Sequence, residues 1–275
     1  MLKEKIIHQI YFGNFNLKLS DLKTLTNEKF YNIIQFSKYK NKSNLLSWVE
    51  KNHDWKYILW NKNMICELVK KNHKNIYSYF INLSDKKMKH FGSYIIMYNY
   101  GGIFVQNNIV CVKSLNKLIK YFKKYNVILN KLPKLNNVEK TYYKIVLNLD
   151  DDLISNEIFL SNKSNNFWLI LIDNIIKCKN NGINNHTGNI MLSKTFSDVK
   201  MNSRDIILAN NIFLLPCDPF DKNCQVLDIS YAKKLKKDNF FYNLLCDIYS
   251  SYFKNIKKVI IFIIGLIIII NIYKL

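Results

Sequence analysis

The residues with the clearest potential for chemistry follow a pair of glycines in the first half of the chain. The stretch YNYGGIFVQNN (98–108) predicts a tight turn at Gly101–Gly102 and a short strand over Ile103–Val105, and the strand ends on the amides Gln106, Asn107 and Asn108. A strand end is a common place for carboxylates that bind a metal. An amide oxygen can also bind a hard cation, but it brings no negative charge. Gln106 and Asn108 therefore predict only weak metal binding.

A second chemically useful group is the acidic run LDDD at 149–152. Asp150, Asp151 and Asp152 could hold a divalent cation, because hard cations prefer ionised oxygen ligands. Short acidic runs more often cap a loop in solvent, and we favour that interpretation.

These side chains need a scaffold, and strand and helix signals alternate along the chain. Runs rich in β-branched and aromatic residues predict strands, and apolar residues at helical spacing predict helices. A helix that Ser84 can cap carries Met88, Phe91 and Ile95 on one face. The alternation predicts an α/β fold. The predicted strands are Ile6–Phe12, Tyr57–Trp60, Ile103–Val105, Val127–Leu129 and Lys144–Leu149, and the predicted helices include Asn44–Glu50, 84–99 and Phe167–Lys177.

Six stretches, in collinear order, resemble one family. They are KIIHQIYFG (5–13), WKYILWN (55–61), YIIMYNYGGIFVQNN (94–108), ISNEIFLSNKSNNFWLILIDNI (154–175), HTGNIMLS (186–193) and IFLLPCDPF (212–220). The sequence is similar to the glycosyltransferases with a DXD sugar-binding region, which include yeast-type initiating mannosyltransferases and bacterial capsular sugar transferases. The resemblance implies a GT-A-like single domain over 1–225, with a mixed, mostly parallel sheet flanked by helices. It also implies a nucleotide-sugar donor and a Mn²⁺ or Mg²⁺ cofactor.

The resemblance also implies which residues contact the donor. The two aspartates of the DXD motif fall on Gln106 and Asn108, and an Asp and an Arg of the preceding helix fall on His90 and Ser93. The charged groups of the donor site are therefore replaced together. For His8, a purely structural role in its strand remains an open alternative. The donor-binding candidates are His8, Gln9, His90, Gly101, Gly102, Gln106, Asn107, Asn108, Asn156, Thr187 and Gly188.

The overall composition describes a basic chain that can build a substantial core. Hydrophobic residues make up 49% of the 275 residues, and 41 Lys and Arg against 20 Asp and Glu give a formal net charge of +21. Arg204 is the only arginine, so the bidentate base contacts typical of nucleic-acid readout are almost excluded. The charge suits acidic glycans or anionic lipid better than nucleic acid. None of the six cysteines forms a CxxC pair, and buried reduced thiols are the expected state.

The C-terminal segment differs from the rest of the chain. Val259–Tyr273 is apolar on every helical face except at Asn271, and lysines precede it at 254, 257 and 258. A spanning helix needs about 20 apolar residues, and flanking lysines lengthen a short span by reaching toward the lipid headgroups. We interpret 257–273 as a tail anchor, 226–256 as a helical extension, and the main domain as cytosolic. A buried core helix is the alternative.

Two functions are consistent with these features. The first is a membrane-anchored glycosyltransferase that transfers a sugar from a nucleotide donor to a glycan, lipid or protein acceptor. The second is a catalytically inactive GT-A-fold membrane protein that binds acidic glycans or anionic lipid surfaces. The intact motifs around the strands favour the first, and the joint loss of the charged donor-site residues favours the second.

Overall fold

A six-stranded mixed sheet forms the centre of the computed structural model. The strands are β1 (Ile6–Ile10), β2 (Lys56–Trp60), β3 (Gly102–Val105), β4 (Ile109–Cys111), β5 (Val127–Lys131), β6 (Ile154–Ser161), β7 (Ile206–Ala209) and β8 (Ala232–Lys234). The sheet order is β2-β1-β3-β6-β5-β7. Strand β1 runs parallel to β2 and β3, and β5 runs parallel to β7, whereas β6 is antiparallel to both β3 and β5. Strands β4 and β8 pair separately.

The structure describes residues 4–13, 15–39, 42–116, 119, 125–131, 153–180, 187–200, 206–209 and 232–234. All of them lie in the first of two compact units, Met1–Leu235, and the second unit is Lys236–Leu275. Several predictions fall outside these residues: the strand at 144–149, the acidic run Asp150–Asp152 and the anchor at 257–273. Of the predicted helical extension at 226–256, the structure describes Ala232–Lys234 alone, and these residues form strand β8. Among the helices of the described ranges, none is both long enough and apolar enough to cross a bilayer.

The helices within the described residues pack on this sheet and cap themselves with local side chains. They are α1 (Asn27–Gln35), α2 (Lys42–Lys51), α3 (Lys62–Asn72), α4 (Tyr77–Ile81), α5 (Asp85–Tyr100), α6 (Asn166–Asn180) and α7 (Asn189–Lys200), with short 3₁₀ turns at Leu19–Lys23 and Lys74–Ile76. The Asn61 side chain accepts the Met64 N–H at 2.8 Å and so satisfies a free donor at the start of α3. Helix α5 begins after Ser84 as predicted, but the Ser84 hydroxyl makes no capping hydrogen bond.

Helix α5 leads directly to the candidate site through two glycines. Gly101 ends the helix with φ 66°, and Gly102 begins β3 with φ 89°. Residues with a side chain rarely adopt this left-handed backbone conformation. A Cβ on Gly101 would also lie 2.5 Å from the Lys163 backbone nitrogen. A Cβ on Gly102 would collide with the Ile6 carbonyl oxygen of β1. The glycine pair is therefore needed to bring β3 tightly beside β1.

Strand β6 pairs irregularly with β5, and this irregularity exposes backbone groups to the rest of the site. Phe159 lies opposite Leu129, but the next pair joins Ser155 to Asn130, so residues 156–158 have no partner on β5. Ile158 still pairs with Val105 on β3. Asn189 of α7 fills part of the gap, since its side chain accepts the Asn156 N–H at 2.9 Å. Ser193 of the same helix accepts the N–H of nearby Ile154 at 2.8 Å.

The predicted strands and helices of residues 1–225 have the predicted type where the structure describes them, whereas Ala232–Lys234 of the predicted helical extension forms strand β8. The predicted helices at 84–99, 44–50 and 167–177 correspond to α5, α2 and α6, with ends that differ by a few residues. The α/β fold with a mixed sheet flanked by helices is confirmed. Gly92, which indicated close packing within α5, lies against α3, because a Cβ there would stand 2.9 Å from Cγ2 of Ile65.

Candidate functional site

The candidate site lies where parallel strands β1 and β3 end. Gln106, Asn107 and Asn108 directly follow β3, as predicted, and β1 ends at Ile10. Parallel strands place their carboxyl ends at one edge of a sheet, which is where open α/β sheets bind ligands. We call residues 106–108 the amide loop.

The amide loop is held in place by side chains from several elements. Its entry is fixed by the Gln106 N–H, which donates to the Glu157 carbonyl on β6 at 2.8 Å, and by the Gln9 amide, which donates to the Gln106 carbonyl at 3.3 Å. At its centre, Tyr39 Oη and Asn44 Nδ2 both donate to the Asn107 carbonyl, at 3.3 and 3.4 Å. Such a network holds a loop in one arrangement before any ligand arrives.

Two buried amide oxygens at the loop have no hydrogen-bond partner. They are Oδ1 of Asn108, at the second position of the expected DXD motif, and Oδ1 of Asn44. The Asn44 amide cannot flip to relieve this, because its nitrogen already donates to the Asn107 carbonyl. A buried acceptor without a partner costs about 1–3 kcal/mol. These oxygens are therefore poised to accept hydrogen bonds from a ligand or from water.

The Gln9 side chain connects the amide loop to Tyr57 on β2. Its amide oxygen accepts the Tyr57 hydroxyl at 2.7 Å while its nitrogen supports Gln106, and the Gln9 side chain is fully buried. Burial raises the pKa of Tyr57 well above its ordinary value, so this hydroxyl stays protonated and remains a donor. Gln9 is therefore placed to position the amide loop.

His8 is engaged entirely within the protein. Its Nδ1 accepts the Trp60 indole N–H at 3.1 Å, and its Nε2 donates to the Gly101 carbonyl at 2.9 Å, which fixes one neutral tautomer. The pKa of His8 is lowered to about 3, chiefly by burial and to a smaller extent by the charge of Lys56, against the opposing effect of the Gly101 hydrogen bond. Both ring nitrogens therefore have partners within the protein, which agrees with a structural role in the strand. Contact of His8 with a donor stays a prediction.

His90, Asn156 and Gly188 come together from three separate elements. A Cβ on Gly188 would lie 3.3 Å from His90 Nδ1 and 3.6 Å from Asn156 Nδ2, so the imidazole and the amide both line the Gly188 backbone. The pKa of His90 is lowered to about 4, first by burial and then by the charges of Lys86 and Lys89. At neutral pH this ring is uncharged and can accept or donate a hydrogen bond.

The neighbours of this trio hold it in place. Thr187 contributes its carbonyl, which accepts the buried Tyr94 hydroxyl at 2.9 Å and ties the turn to α5. Ser93, at the expected arginine position, donates its hydroxyl to the His90 carbonyl at 2.7 Å. Ser93 therefore supports the helix backbone and carries no charge to the site.

Glu157 is the residue that the sequence reasoning missed. It is the one carboxylate among the buried residues in the described part of the chain, with 8% of its surface exposed. Its carbonyl accepts the Gln106 N–H, and antiparallel neighbours that lie opposite each other project to the same side of a sheet. The Ser155 hydroxyl donates to its carboxylate at 3.4 Å. The only available signal was a charged residue inside the apolar strand sequence ISNEIFLS.

The described residues do not fit a tight divalent-cation site. The unpaired Asn108 oxygen is a possible ligand, but it is neutral, and the described residues contain no group of three His, Cys, Asp or Glu side chains that could hold a metal. A hard cation needs ionised oxygens to offset the loss of its water shell. The acidic run Asp150–Asp152 lies outside the described residues.

The comparison with protein families agrees with the motifs. Residues 20–124 match the family described as the glycosyltransferase sugar-binding region containing DXD motif. The match extends from the first 3₁₀ turn through α5, β3 and the amide loop, and it confirms the resemblance carried by the sequence. Residues 20–124 are thus similar to this sugar-binding region, and amides stand at the two positions where the resemblance places the DXD aspartates. No curated protein matches the sequence.

Several solved glycosyltransferase structures are similar to the chain. The PaToxG glycosyltransferase is 14% identical, with 71% of this chain and 69% of that chain covered and a TM-score of 0.38. Galactosyltransferase LgtC in complex with donor and acceptor sugar analogs is 9% identical, with 83% and 86% covered and a TM-score of 0.41. Mouse xyloside xylosyltransferase 1 is 7% identical, with 83% and 96% covered and a TM-score of 0.44.

The buried neutral state of His8 predicts a pH-dependent stability. The folded pKa of about 3 lies below the ordinary value of 6.5, so the unfolded chain binds the extra proton first as the pH falls. The contribution of neutral His8 to the free energy of unfolding is fully present above pH 6.5 and is lost as the pH falls toward 3. Between pH 7 and 5 the His8 contribution should decrease by about 2 kcal/mol. Urea unfolding of the native protein and His8→Gln at both pH values measures it.

The His8→Gln protein should lose less stability than the native protein over this pH interval, even though it is less stable at pH 7. His90 contributes to the pH dependence of both proteins and cancels in the comparison. Replacement of the exposed His53 by Gln controls for the loss of a histidine as such. An unchanged pH dependence in His8→Gln would contradict the buried neutral assignment.

The amide loop predicts weak metal binding that carboxylates should strengthen. The native protein should bind Mn²⁺ weakly or not at all at this loop, whereas Gln106→Asp combined with Asn108→Asp should bind it at least about tenfold more tightly, because ionised oxygens are better ligands. Isothermal calorimetry with Mn²⁺ measures both. A matched control makes the same amide-to-carboxylate changes on the exposed surface of α1, at Asn32 and Gln35.

Tight Mn²⁺ binding by the native protein, coupled to donor binding, would contradict this prediction. It would assign the metal to another group of ligands, of which Asp150–Asp152 is the first candidate.

Proposed function

We propose that the protein is a membrane-anchored, GT-A-like glycosyltransferase that binds a nucleotide sugar at the carboxyl ends of β1 and β3. It transfers the sugar to a glycan, lipid or protein acceptor. The observation that carries the proposal is the amide loop. Four groups outside the loop hold its backbone, and yet the Asn108 oxygen is left buried and unpaired. A ligand that donates a hydrogen bond to this oxygen would offset that cost.

The nucleoside part of the ligand has a suitable platform beside the loop. Tyr11, just after β1, packs on Tyr39 with ring centroids 4.5 Å apart and stacks on Phe15 at 6.1 Å. These rings are only partly buried, and Tyr39 also donates to the amide loop. A nucleobase can stack on such a surface for about 1–3 kcal/mol. We call Tyr11, Phe15 and Tyr39 the aromatic platform.

The sugar part has neutral polar partners. His90, uncharged at neutral pH, and the Asn156 amide both line the Gly188 backbone, and each can exchange hydrogen bonds with hydroxyl groups. LgtC, to which the chain is similar, has been solved with donor and acceptor sugar analogs. The donor is therefore held here by amides, backbone groups, lysines and aromatic rings, with little dependence on Mn²⁺ or Mg²⁺.

The alternative function is a catalytically inactive GT-A-like membrane protein that binds acidic glycans or anionic lipid surfaces. A specific observation favours it: the expected carboxylates and the expected arginine are all replaced, at Gln106, Asn108, His90 and Ser93. The net charge of +21 would attract such polyanions. Nucleotide binding distinguishes the two functions, because a surface for acidic glycans has no need of a nucleobase.

The membrane part of the proposal rests on the sequence of the C-terminal segment. Its apolar run at 259–273 follows three lysines, and cytosolic segments next to a span are enriched in such residues. We propose a single-pass C-terminal anchor with the main domain in the cytosol.

Binding of a nucleotide sugar should stabilise the folded protein without added metal. At a ligand concentration of about 100 times Kd, the folded state gains about 2.7 kcal/mol, which for a domain of this size raises Tm by about 5–10 °C. Thermal unfolding with UDP- and GDP-sugars, with Mn²⁺ or with EDTA, measures this. Tyr11→Leu should lose most of the shift, whereas Phe36→Leu, which changes an aromatic ring that is 85% exposed, should keep it.

Stabilisation by heparin or anionic vesicles, with none by any nucleotide or nucleotide sugar, would instead support the inactive alternative.

Removal of the C-terminal segment should release the protein from membranes. A chain that ends at residue 256 lacks the apolar run and should move from the pellet to the supernatant in a fractionation assay. A matched control keeps the full length and replaces lysines 257 and 258 by Gln, which should leave the protein in the pellet. A truncated protein that remains in the membrane pellet at high salt would contradict the anchor. A truncated protein that fails to fold would identify the segment as a core helix.

A further inference from the structure

Lys89 of α5 has an unusual position beside the candidate site. Its Nζ lies 4.9 Å from the centroid of the Phe12 ring, and its side chain is partly buried. Phe12 stands two residues beyond the end of β1, next to Tyr11 of the aromatic platform. The ammonium group therefore lies over the Phe12 ring, close to the carboxyl end of β1 where the candidate site is located.

The charge of Lys89 is not neutralised by a carboxylate in the described part of the chain. The ion pairs there join Lys5 to Asp54 and Lys62 to Asp85, both on the exposed surface. Asp85, one turn before Lys89, already receives Lys62 at 2.9 Å. Burial lowers the pKa of Lys89, against the weaker opposing effect of Asp85. The partly buried ammonium faces the Phe12 ring and no carboxylate of the described residues, so its charge is available to an anionic ligand.

The same face of α5 directs Lys89 and its neighbours toward the site. His90, the next residue, lies against Gly188 and Asn156. Ser93 is one turn after Lys89 on the same helical face, and its hydroxyl is used by the His90 carbonyl. Lys89 thus contacts Phe12, which follows Tyr11 of the aromatic platform, and directly precedes His90 of the sugar-binding trio His90, Asn156 and Gly188. Lys86, one turn earlier, also acts on His90 through its charge but is exposed.

We propose that Lys89 binds the diphosphate of the nucleotide ligand. The inference rests on the proposed function and names the group that provides positive charge where the amide loop holds no metal tightly. A diphosphate connects the base to the sugar, which suits a lysine that contacts the neighbour of Tyr11 on one side and adjoins His90 in the chain. The lysine ammonium binds phosphate oxygens as a compact charge, and a partly desolvated position strengthens that contact.

Calorimetry with nucleoside diphosphates and matching nucleosides tests the proposal on the full-length protein. The probes are UDP and GDP against uridine and guanosine, in EDTA at low salt. Lys89→Met should weaken binding of the preferred diphosphate by about 10- to 100-fold and leave binding of its nucleoside unchanged. Lys89→Arg, which keeps the charge, should lose much less.

Lys70 offers a matched control. It lies on α3 with its Nζ 5.9 Å from the Tyr77 ring centroid, so Lys70→Met removes a lysine of the same kind from another part of the surface. This variant should bind the diphosphate as the native protein does. If Lys89→Met fails to fold, Lys89→Gln and the salt dependence of Lys89→Arg replace it.

Three outcomes separate the hypotheses. A Lys89→Met protein that binds the diphosphate with native affinity overturns the role of Lys89. Equal losses for diphosphate and nucleoside also overturn it, because they show damage to the site in general. A native protein that binds neither UDP nor GDP, nor any nucleotide sugar, overturns the proposed function itself, and the inference fails with it.

Discussion

One buried imidazole joins the elements on which the candidate site depends. His8 lies in β1, accepts a hydrogen bond from Trp60 at the end of β2, and donates to the carbonyl of Gly101 at the end of α5. Two strands and the glycine turn are therefore fixed by a single ring with a defined tautomer. Because Gly102 lies tightly against Ile6, any shift of this turn would displace β3 and the amide loop that follows it.

From this fixed turn the structure builds a site whose backbone is rigid and whose side chains are neutral. The Gln9 amide, the Tyr39 hydroxyl and the β6 backbone hold the amide loop, and the irregular pairing of β6 leaves Asn156 and Glu157 beside it. In the family that the sequence resembles, four of these positions bear charge. In this chain they carry amides, an imidazole and a hydroxyl. Two residues are exceptions to this neutral set: Lys89, whose ammonium lies over Phe12, and Glu157, the acidic residue among the buried positions of the described chain.

The sequence predicted the elements well and their contacts poorly. Strands such as β2 and helices such as α5 follow from local periodicity, so their residues were foreseen. The role of His8 depends on Trp60 and Gly101, which are 52 and 93 residues away and become neighbours only through parallel pairing. Glu157 was missed because its environment depends on the shifted register between β5 and β6, and no local pattern reveals such a shift.

The two unpaired amide oxygens also make the site selective. A ligand group that only accepts hydrogen bonds leaves Asn44 and Asn108 unsatisfied, whereas a hydroxyl or N–H group recovers that cost. At about 1–3 kcal/mol for each oxygen, the difference amounts to discrimination of about 5- to 150-fold between otherwise similar molecules. An inorganic polyanion such as pyrophosphate offers the negative charge that suits Lys89 but no donor for these oxygens. Molecules that combine an anionic centre with donor groups at its ends are therefore preferred over simple anions.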